Sequence, residues 1–402
     1  MKFYGFPRQD GTVGTRNLVA VIPSVSCANH VAQRIAANVQ GAVAFPHALG
    51  CGFPGADQAL ASHMLRRVAL HPNFGAVLFV GLGCERLLCE DLLSGLNLSG
   101  KFVDSFTIQG EGDSLKAMAK GTRIAQEWAY RLGAQRREPV DAKHIVLGLK
   151  CGGTDSASGI AANPVLGAAS DMLIAEGGTS IITEVTELIG AEHIMARHAE
   201  TPEVAAAILK LVKTNAERLK RDIGSSDASH NAHLLVSPGN LDGGVTNVVE
   251  KALGGLKKAG NAPFKGVLGY AEPPKGKGLY LMDGPGYDGE AVSGVIGAGA
   301  NVVVFTTGRG TPTGYPGVPV IKSTGNPELW SRMSANLDFD AAEIIRDRKN
   351  ISEVGKKLFQ MILDVASGQP VKAELIGHEE LFMISRMIGR HRYIESLCPL
   401  EM

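Results

Sequence analysis

Aromatic residues make up only 5% of this 402-residue chain, and its charges cancel, 40 Lys and Arg against 40 Asp and Glu. No basic block stands out. A nucleic-acid partner needs a basic face and, for single strands, aromatic platforms for the bases, so neither DNA nor RNA is expected. No apolar run approaches the roughly 20 residues that span a bilayer, so no membrane partner is expected either. The first residues, MKFYGFPRQDGTVGTRN, contain no apolar h-region of a secretory leader. The six cysteines are scattered through a long chain, unlike a disulfide scaffold. Reduced thiols and a cytoplasmic location follow as the expectation. Nucleotide signatures are also missing. Gly284-Pro285-Gly286-Tyr287-Asp288-Gly289 has the glycine spacing of a dinucleotide loop, but Pro and Tyr interrupt the turn. The next strand ends in Phe305-Thr306-Thr307 rather than in the acid that would bind a ribose. There is no GxxxxGK[ST] either.

What the chain has is glycine, 50 residues, much of it directly after apolar runs. With 45% hydrophobic residues, a sizeable core can be buried. Strand-like runs at 18–23, 42–45, 76–80 and 102–108 alternate with helical spacing at 30–39, 57–70 and 113–132. After a polar stretch, Gln135 to Lys143, read as a linker, a second series begins. Its strands are expected at 144–149, 179–183, near Val236, and at 266–270, 278–282, 301–306 and 318–321. Its helices are expected at 164–175, 202–221, 245–259 and 352–367. Alternation of this kind implies parallel sheets. The expected fold is α/β: two Rossmann-like αβ domains with mostly parallel sheets and a cleft at the strand C-termini. The boundaries are 1–138 and 139–402, with a peripheral tail over 370–402 and a polar connector over 224–232.

Chemistry-bearing residues collect after strands, where parallel α/β folds bind ligands. Cys27, Cys51 and Cys84 follow three successive strands, with His47 and Glu85 beside them. Shared strand polarity would bring these groups to one sheet edge, although cysteine is also a common buried small side chain. In LGLKCGGTDSASGIAANPVLG, Cys151, Thr154, Asp155, Ser158 and Asn163 offer polar partners among small residues that let a ligand approach the backbone. Glu184, Glu187, Glu192 and His193 suit iron or manganese or proton transfer, and equally suit a solvated loop. Arg309, between two glycines, could clamp a carboxylate. Asp283 and Asp288 read as ligands or as turn residues.

Taken together, these motifs resemble the altronate/galactarate dehydratase family, which also includes the large subunit of sulfolactate sulfo-lyase. The matching pieces include Gly11-Thr12-Val13-Gly14-Thr15-Arg16-Asn17, His47 to Gly52, Gly81 to Glu85 and Cys151 to Asp155. Ser158-Gly159, Ala162-Asn163-Pro164, Gly177-Gly178-Thr179, Gly190-Ala191-Glu192-His193, Ser237 to Asn240, Pro285 to Asp288 and Thr306 to Gly310 complete the set. They run from Phe6 to about Glu374.

The resemblance implies Fe2+- or Mn2+-assisted removal of a β-leaving group from a sugar acid such as altronate or galactarate, giving a 2-keto-3-deoxy acid. The expected metal ligands are His47, Cys51, Cys84, Cys151, Glu184 and Glu187, and an iron–sulfur cluster on the thiols of the first domain stays open. Glu192, His193 and Arg309 are the expected catalytic residues. Arg16, Asn17, Thr154, Asp155, Ser158, Asn163 and Asn240 are the expected substrate contacts. The alternatives are carbon–sulfur cleavage of sulfolactate, or a large subunit needing a small partner chain. The resemblance leads to the expectation that the small N-terminal domain of other members is lacking here, and that Leu381 to His391 stands in place of their Pro-Trp-containing ending. A small subunit supplying that domain, and a homo-oligomer, are the expected partners.

Overall fold

The computed structural model describes residues 1–53, 55–222 and 237–384. The expected strand at Val236, the 224–232 connector, Cys398 and most of the 381–391 ending lie outside them. The chain forms two compact units. The smaller comprises residues 4–140, joined by 316–318 and the segment from Phe382; the larger comprises 1–3, 141–315 and 319–381. Among the described residues no helix is long and apolar enough to cross a membrane.

In the smaller unit, β1 (Lys2–Pro7), β2 (Val13–Gly14) and β7 (Glu138–Asp141) make a three-stranded sheet in the order β2-β1-β7. The stretch expected as a linker thus contains a strand. Its alternation is too short to read, and pairing with β1 supplies the order that its own sequence does not. The main sheet has the order β4-β3-β5-β6, built from β3 (Leu18–Pro23), β4 (Ala42–Ala44), β5 (Phe74–Gly81) and β6 (Phe102–Thr107), with every pairing parallel. A parallel sheet is covered on both faces, so β5 reads as an unbroken apolar run and all eight of its residues are buried. Helices α1 (Asn29–Ala37), α2 (Gly55–Leu70) and α3 (Ser114–Gly133) connect the strands. Ile35 and Val31 of α1 and Ala117, Ala125 and Trp128 of α3 close one core with Val19, Val21, Leu78 and Val80.

The larger unit holds seven strands in the order β10-β11-β9-β8-β12-β13-β14, again all parallel. They are β8 (Val146–Cys151), β9 (Thr179–Ile182), β10 (Phe264–Leu268), β11 (Gly278–Met282), β12 (Val302–Thr306), β13 (Val320–Thr324) and β14 (Phe339–Asp340). The helices used below are α4 (Asn163–Ala175), α5 (Glu192–Arg197), α6 (Pro202–Asp222), α7 (Val248–Leu256), α8 (Asp288–Gly297) and α9 (Ile351–Ala366). The expected α/β class with parallel sheets is the observed one, and neither sheet is a closed barrel. β8 is central: β9 succeeds it on one side and β12 lies on the other. Ligands bind at such a switch point, beyond the strand carboxyl ends.

The stretch expected as a peripheral tail from residue 370 is packed as far as Phe382. Val371, Ala373, Leu381 and Phe382 are buried. The Leu381 N–H donates to Gly314 O at 2.9 Å, and the Phe382 ring meets Phe45 edge-on at 5.0 Å. The mixed polarity of this stretch hides anchors that are spaced singly.

Leu78→Ala, in the core of the smaller unit, is expected to lower stability by about 2–5 kcal/mol. Leu115→Ala, at a position 75% exposed on α3, is expected to stay within about 0.5 kcal/mol. Urea denaturation of both variants measures the contrast.

Candidate active site

Beyond the ends of β8, β9 and β11 lies a pocket of about 410 Å³, within the usual range for small ligands of roughly 300–1,000 Å³. Gly152 and Gly153 follow β8, Thr186 and Glu187 follow β9, and Gly286, Tyr287 and Asp288 follow β11; Lys251 of α7 and Asn240 complete the wall. A larger groove of about 870 Å³ runs beside α4 and α7. Its one acid, Asp171, is committed to the N–H groups of Asn261 and Ala262, and most of its lining is apolar, with His198 and Lys257 as its other ionisable residues.

Under the pocket floor lies a buried ion network. Glu184, 0% exposed, accepts from the Lys150 ammonium through Oε1 and from Lys258 Nζ at 2.8 Å through Oε2. Its Oε2 also takes the Cys151 N–H at 3.2 Å. Lys150 Nζ donates further to Cys151 O at 2.6 Å, to Gly286 O at 3.1 Å and to Asp288 Oδ1 at 2.9 Å. Lys258 Nζ donates to Cys151 Sγ at 3.0 Å. One carboxylate thus ties the ends of β8 and β9 to the turn just after α7, and Lys150 extends the tie to the loop after β11.

The backbone of Glu184 is left-handed, φ 69° and ψ 43°. For a residue with a Cβ that conformation costs roughly 1–3 kcal/mol and persists where surrounding contacts over-determine it. Burial alone would raise the Glu184 carboxyl, but Lys150 and then Lys258 outweigh it and hold it below the ordinary carboxylate range. Burial works against charge on Lys150 too, and Glu184 and Asp288 reverse that, so its ammonium is held more firmly than usual. Burial, helped by the Glu184 charge, pushes the Cys151 thiol up.

Glu187 stands one turn further on, 17% exposed, with Oε1 at 3.0 Å from Lys251 Nζ. Its Oε2 is buried without a hydrogen-bond partner among the described residues. Burial, then the Glu184 charge, raises its carboxyl above the ordinary range.

Cys151 Sγ and one oxygen each from Glu184 and Glu187 lie within 4.8 Å of one another, and they are the one group of three such ligands found among the described residues. The ligand types are those of a metal triad. The electron pairs, however, are largely committed. Both Glu184 oxygens and the sulfur accept from lysine, and Glu187 keeps only Oε2. Lys150, Lys251 and Lys258 already balance Glu184, Glu187 and Asp288 with the thiol neutral. A like unit-charge pair at about 4 Å costs roughly 4 kcal/mol at an effective dielectric of about 20, and a dication doubles that for each lysine it faces. The three side chains could hold a metal ion, in competition with the lysines that now take their lone pairs.

The other expected site residues fall into groups. Thr154 and Asn240 are joined, Thr154 N–H to Asn240 Oδ1 at 2.6 Å. Asp155 Oδ1 accepts from the N–H and Oγ of Ser158 at 2.8 and 2.7 Å, and its Oδ2 accepts from Asn326 Nδ2 at 2.9 Å. Asn163 Oδ1 accepts from Thr306 Oγ at 2.6 Å. These side chains brace the loops after β8 and β12; a Cβ on Gly308 would meet Asp155 Oδ1 at 2.3 Å. Arg309 is exposed, 3.7 Å from Asp242, and its Cβ lies 3.0 Å from where a Gly153 Cβ would stand. Glu192 accepts from the Gly190 N–H at 2.6 Å and His193 is exposed; both start α5, and neither lines the pocket. Asp283 is held by Asn215 and Arg218 of α6. In the smaller unit, Asn17 bridges Arg8, Leu132 and Gln135, and Arg16 donates to Thr15 O.

The residues that sequence reasoning passed over are the lysines. Lys150 interrupts the apolar strand VLGLKC, and a charge inside a buried parallel strand is the available signal. Lys251 and Lys258 are seven residues apart in an expected helix, which puts both on one face.

Glu184→Gln leaves Lys150 and Lys258 facing a neutral group. A loss of about 3–5 kcal/mol is expected, read by chemical denaturation. Because the Glu184 carboxyl is depressed in the fold, its contribution is full above the ordinary carboxylate pKa and is lost as pH falls through the lowered value. The gap between wild type and Glu184→Gln should therefore close on acidification.

Two family profiles cover nearly the whole chain: "D-galactarate dehydratase/Altronate hydrolase, second domain" over residues 5–133 and "D-galactarate/Altronate dehydratase, C-terminal" over residues 142–388. The altronate dehydratase of Bacillus subtilis is 35% identical over 395 residues, 94% of this chain and 76% of that protein. The galactarate dehydratase (L-threo-forming) of Escherichia coli is 37% identical over 389 residues, 91% of this chain and 73% of that one. The (2R)-sulfolactate sulfo-lyase subunit beta of Chromohalobacter salexigens is 34% identical over 386 residues, 96% and 97% respectively. With both units matched in order and the relatives covered over most of their length, this chain is a lyase of the galactarate/altronate dehydratase family.

Proposed function

We propose that the chain dehydrates a sugar acid, an aldonate or aldarate, to a 2-keto-3-deoxy acid in the pocket lined by Glu187 and Lys251. The observation that carries this reading is Glu187 itself, a pocket-lining carboxyl raised above the ordinary range by burial and then by the Glu184 charge, with Oε1 on Lys251 and Oε2 without a hydrogen-bond partner among the described residues.

A proton α to a carboxylate is weakly acidic, because its removal builds charge next to existing charge. Lys251, on the pocket wall, neutralises the substrate carboxylate as that charge develops, and it does so in a half-enclosed site where a fixed ammonium acts more strongly than in water. Glu187 takes the α proton. The β-hydroxyl then leaves, and the proton held on Glu187 goes to it, so that water departs and Glu187 is reset. The enol that remains ketonises. Arg309, next to Gly153, is the cation at hand for a second carboxylate of an aldarate. In this reading Glu187, rather than Glu192 or His193, carries the proton.

The iron or manganese dependence implied by the family resemblance finds no lysine-free donor set at this pocket, and no step above passes through a metal. One relative is named as subunit beta and is matched along 97% of its length, which supports a separate small chain as partner.

Glu187→Gln is expected to lower kcat by about 100- to 10,000-fold, measured as 2-keto acid released from a panel of aldonic and aldaric acids. In wild type, kcat/KM should rise with pH through a value above the ordinary carboxylate range, since the base must be ionised and its pKa is raised. An unchanged kcat in Glu187→Gln removes Glu187 from the chemistry. Release of sulfite from sulfolactate, with every sugar acid inert, moves the reaction to carbon–sulfur cleavage at the same pocket.

A further inference from the structure

The smaller unit carries three thiols that the pocket chemistry does not use. Cys27, Cys51 and Cys84 are exposed and follow β3, β4 and β5. These strands lie side by side in the order β4-β3-β5 and run parallel, so their C-terminal ends share one edge. Adjacent strands are about 4.8 Å apart. From β3 the chain winds outward to β4 on one side and to β5 and β6 on the other, which makes the β3/β5 boundary this sheet's own switch point.

The three loops are tied to one another next to each cysteine. The Ser26 N–H donates to Leu49 O at 2.8 Å, linking the Cys27 and Cys51 loops. Asn29 Nδ2 donates to His47 O at 2.7 Å, a second link between them. Ser24 Oγ donates to Glu85 Oε1 at 2.6 Å, linking the Cys27 and Cys84 loops. A small cavity beside them is lined by neighbours of all three, Val25, Gly50, Glu85 and Arg86, with Cys51 the one of the three cysteines in its wall.

We propose that Cys27, Cys51 and Cys84 hold an iron–sulfur cluster at this edge. Thiolates select iron–sulfur clusters and soft ions. The nearby imidazole and carboxylate are already engaged. His47 Nε2 donates to Pro23 O at 2.8 Å, while its Nδ1 accepts from the Leu49 N–H at 3.2 Å. Glu85 takes Ser24 Oγ and the N–H groups of Leu82 and Gly83. Of these groups, the thiols are the ones left to a metal. The three sulfurs are not all within 4.8 Å of one another, as those of the Cys151, Glu184 and Glu187 group are. That spread is too open for one ion to take all three, whereas in a cluster each thiolate takes a different iron. Each thiol gives its proton to solvent on binding. Three protein thiolates leave one iron of a four-iron cluster open to an oxygen ligand. The site is separate from the lysine-filled triad and does not rest on the reaction assigned to the pocket.

The test is anaerobic reconstitution of the full chain with iron salts and sulfide under a thiol reductant. About four iron and four acid-labile sulfides per chain are expected, together with visible thiolate-to-iron absorbance. Cys27, Cys51 and Cys84 should become protected together from alkylation in a peptide map. Cys27→Ser, Cys51→Ser and Cys84→Ser should each lose most of that load, and Cys151→Ser should keep it. The proposal is overturned by iron bound one per chain without sulfide, by serine variants that load like wild type, or by loss of the load in Cys151→Ser. It is also overturned if the three thiols of the folded wild type alkylate equally before and after reconstitution, a readout that needs no variant to fold.

Discussion

The larger unit depends on one carboxylate with two ammonium groups on it. Glu184 sits at the end of β9 with no exposure, held by Lys150 from β8 and by Lys258 from the segment just after α7. Without the lysines a buried carboxylate would be protonated; without the carboxylate two buried ammonium groups would face each other. Each charge is tolerable only because the others are there, so three elements are locked together at the point where their loops form the pocket. The left-handed backbone of Glu184 belongs to the same lock. It turns the chain so that Val185 to Glu187 run back across the strand ends and bring Glu187 to the wall.

That lock also shapes the chemistry above it. Burial, and after it the negative charge of Glu184, raises the neighbouring Glu187 carboxyl and the Cys151 thiol. In the proposed reaction Glu187 is the base, and the Cys151 thiol takes no part. The lysines that stabilise the network take the lone pairs that a cation at Cys151, Glu184 and Glu187 would need.

Much of the fold was legible in the sequence because parallel sheets announce themselves. Leu18 to Pro23 and Gly278 to Met282 were readable to the residue, and Asn163–Ala175 and Ile351–Ala366 nearly so, since buried strands are unbroken apolar runs and covering helices keep a 3.6-residue stripe. The two-residue strands at Val13 and Phe339 exist only through pairing and left no pattern. Within the candidate site, the glycine-rich loops and the acids at 184 and 187 stood out by type and position. Lys150, Lys251 and Lys258 did not, because a lysine is ordinarily a solvated surface residue and only the packed structure turns these three inward. Asp155, Ser158 and Asn163 look like ligand groups in one dimension. In three dimensions Asp155 is bonded to Ser158 and to Asn326 after β13, and Asn163 to Thr306 of β12 and to Gly254 O, so these groups serve the scaffold.

The central claim is that the pocket between Glu187 and Lys251 is where a sugar acid binds and loses its α proton. The most direct measurement is a crystal structure of the Glu187→Gln protein soaked with an aldonic or aldaric acid that wild type turns over. The acid should lie with a carboxylate on Lys251 Nζ and its α carbon facing the residue 187 side chain. An acid bound in the apolar groove beside α4, or with its α carbon turned away from residue 187, would contradict the account.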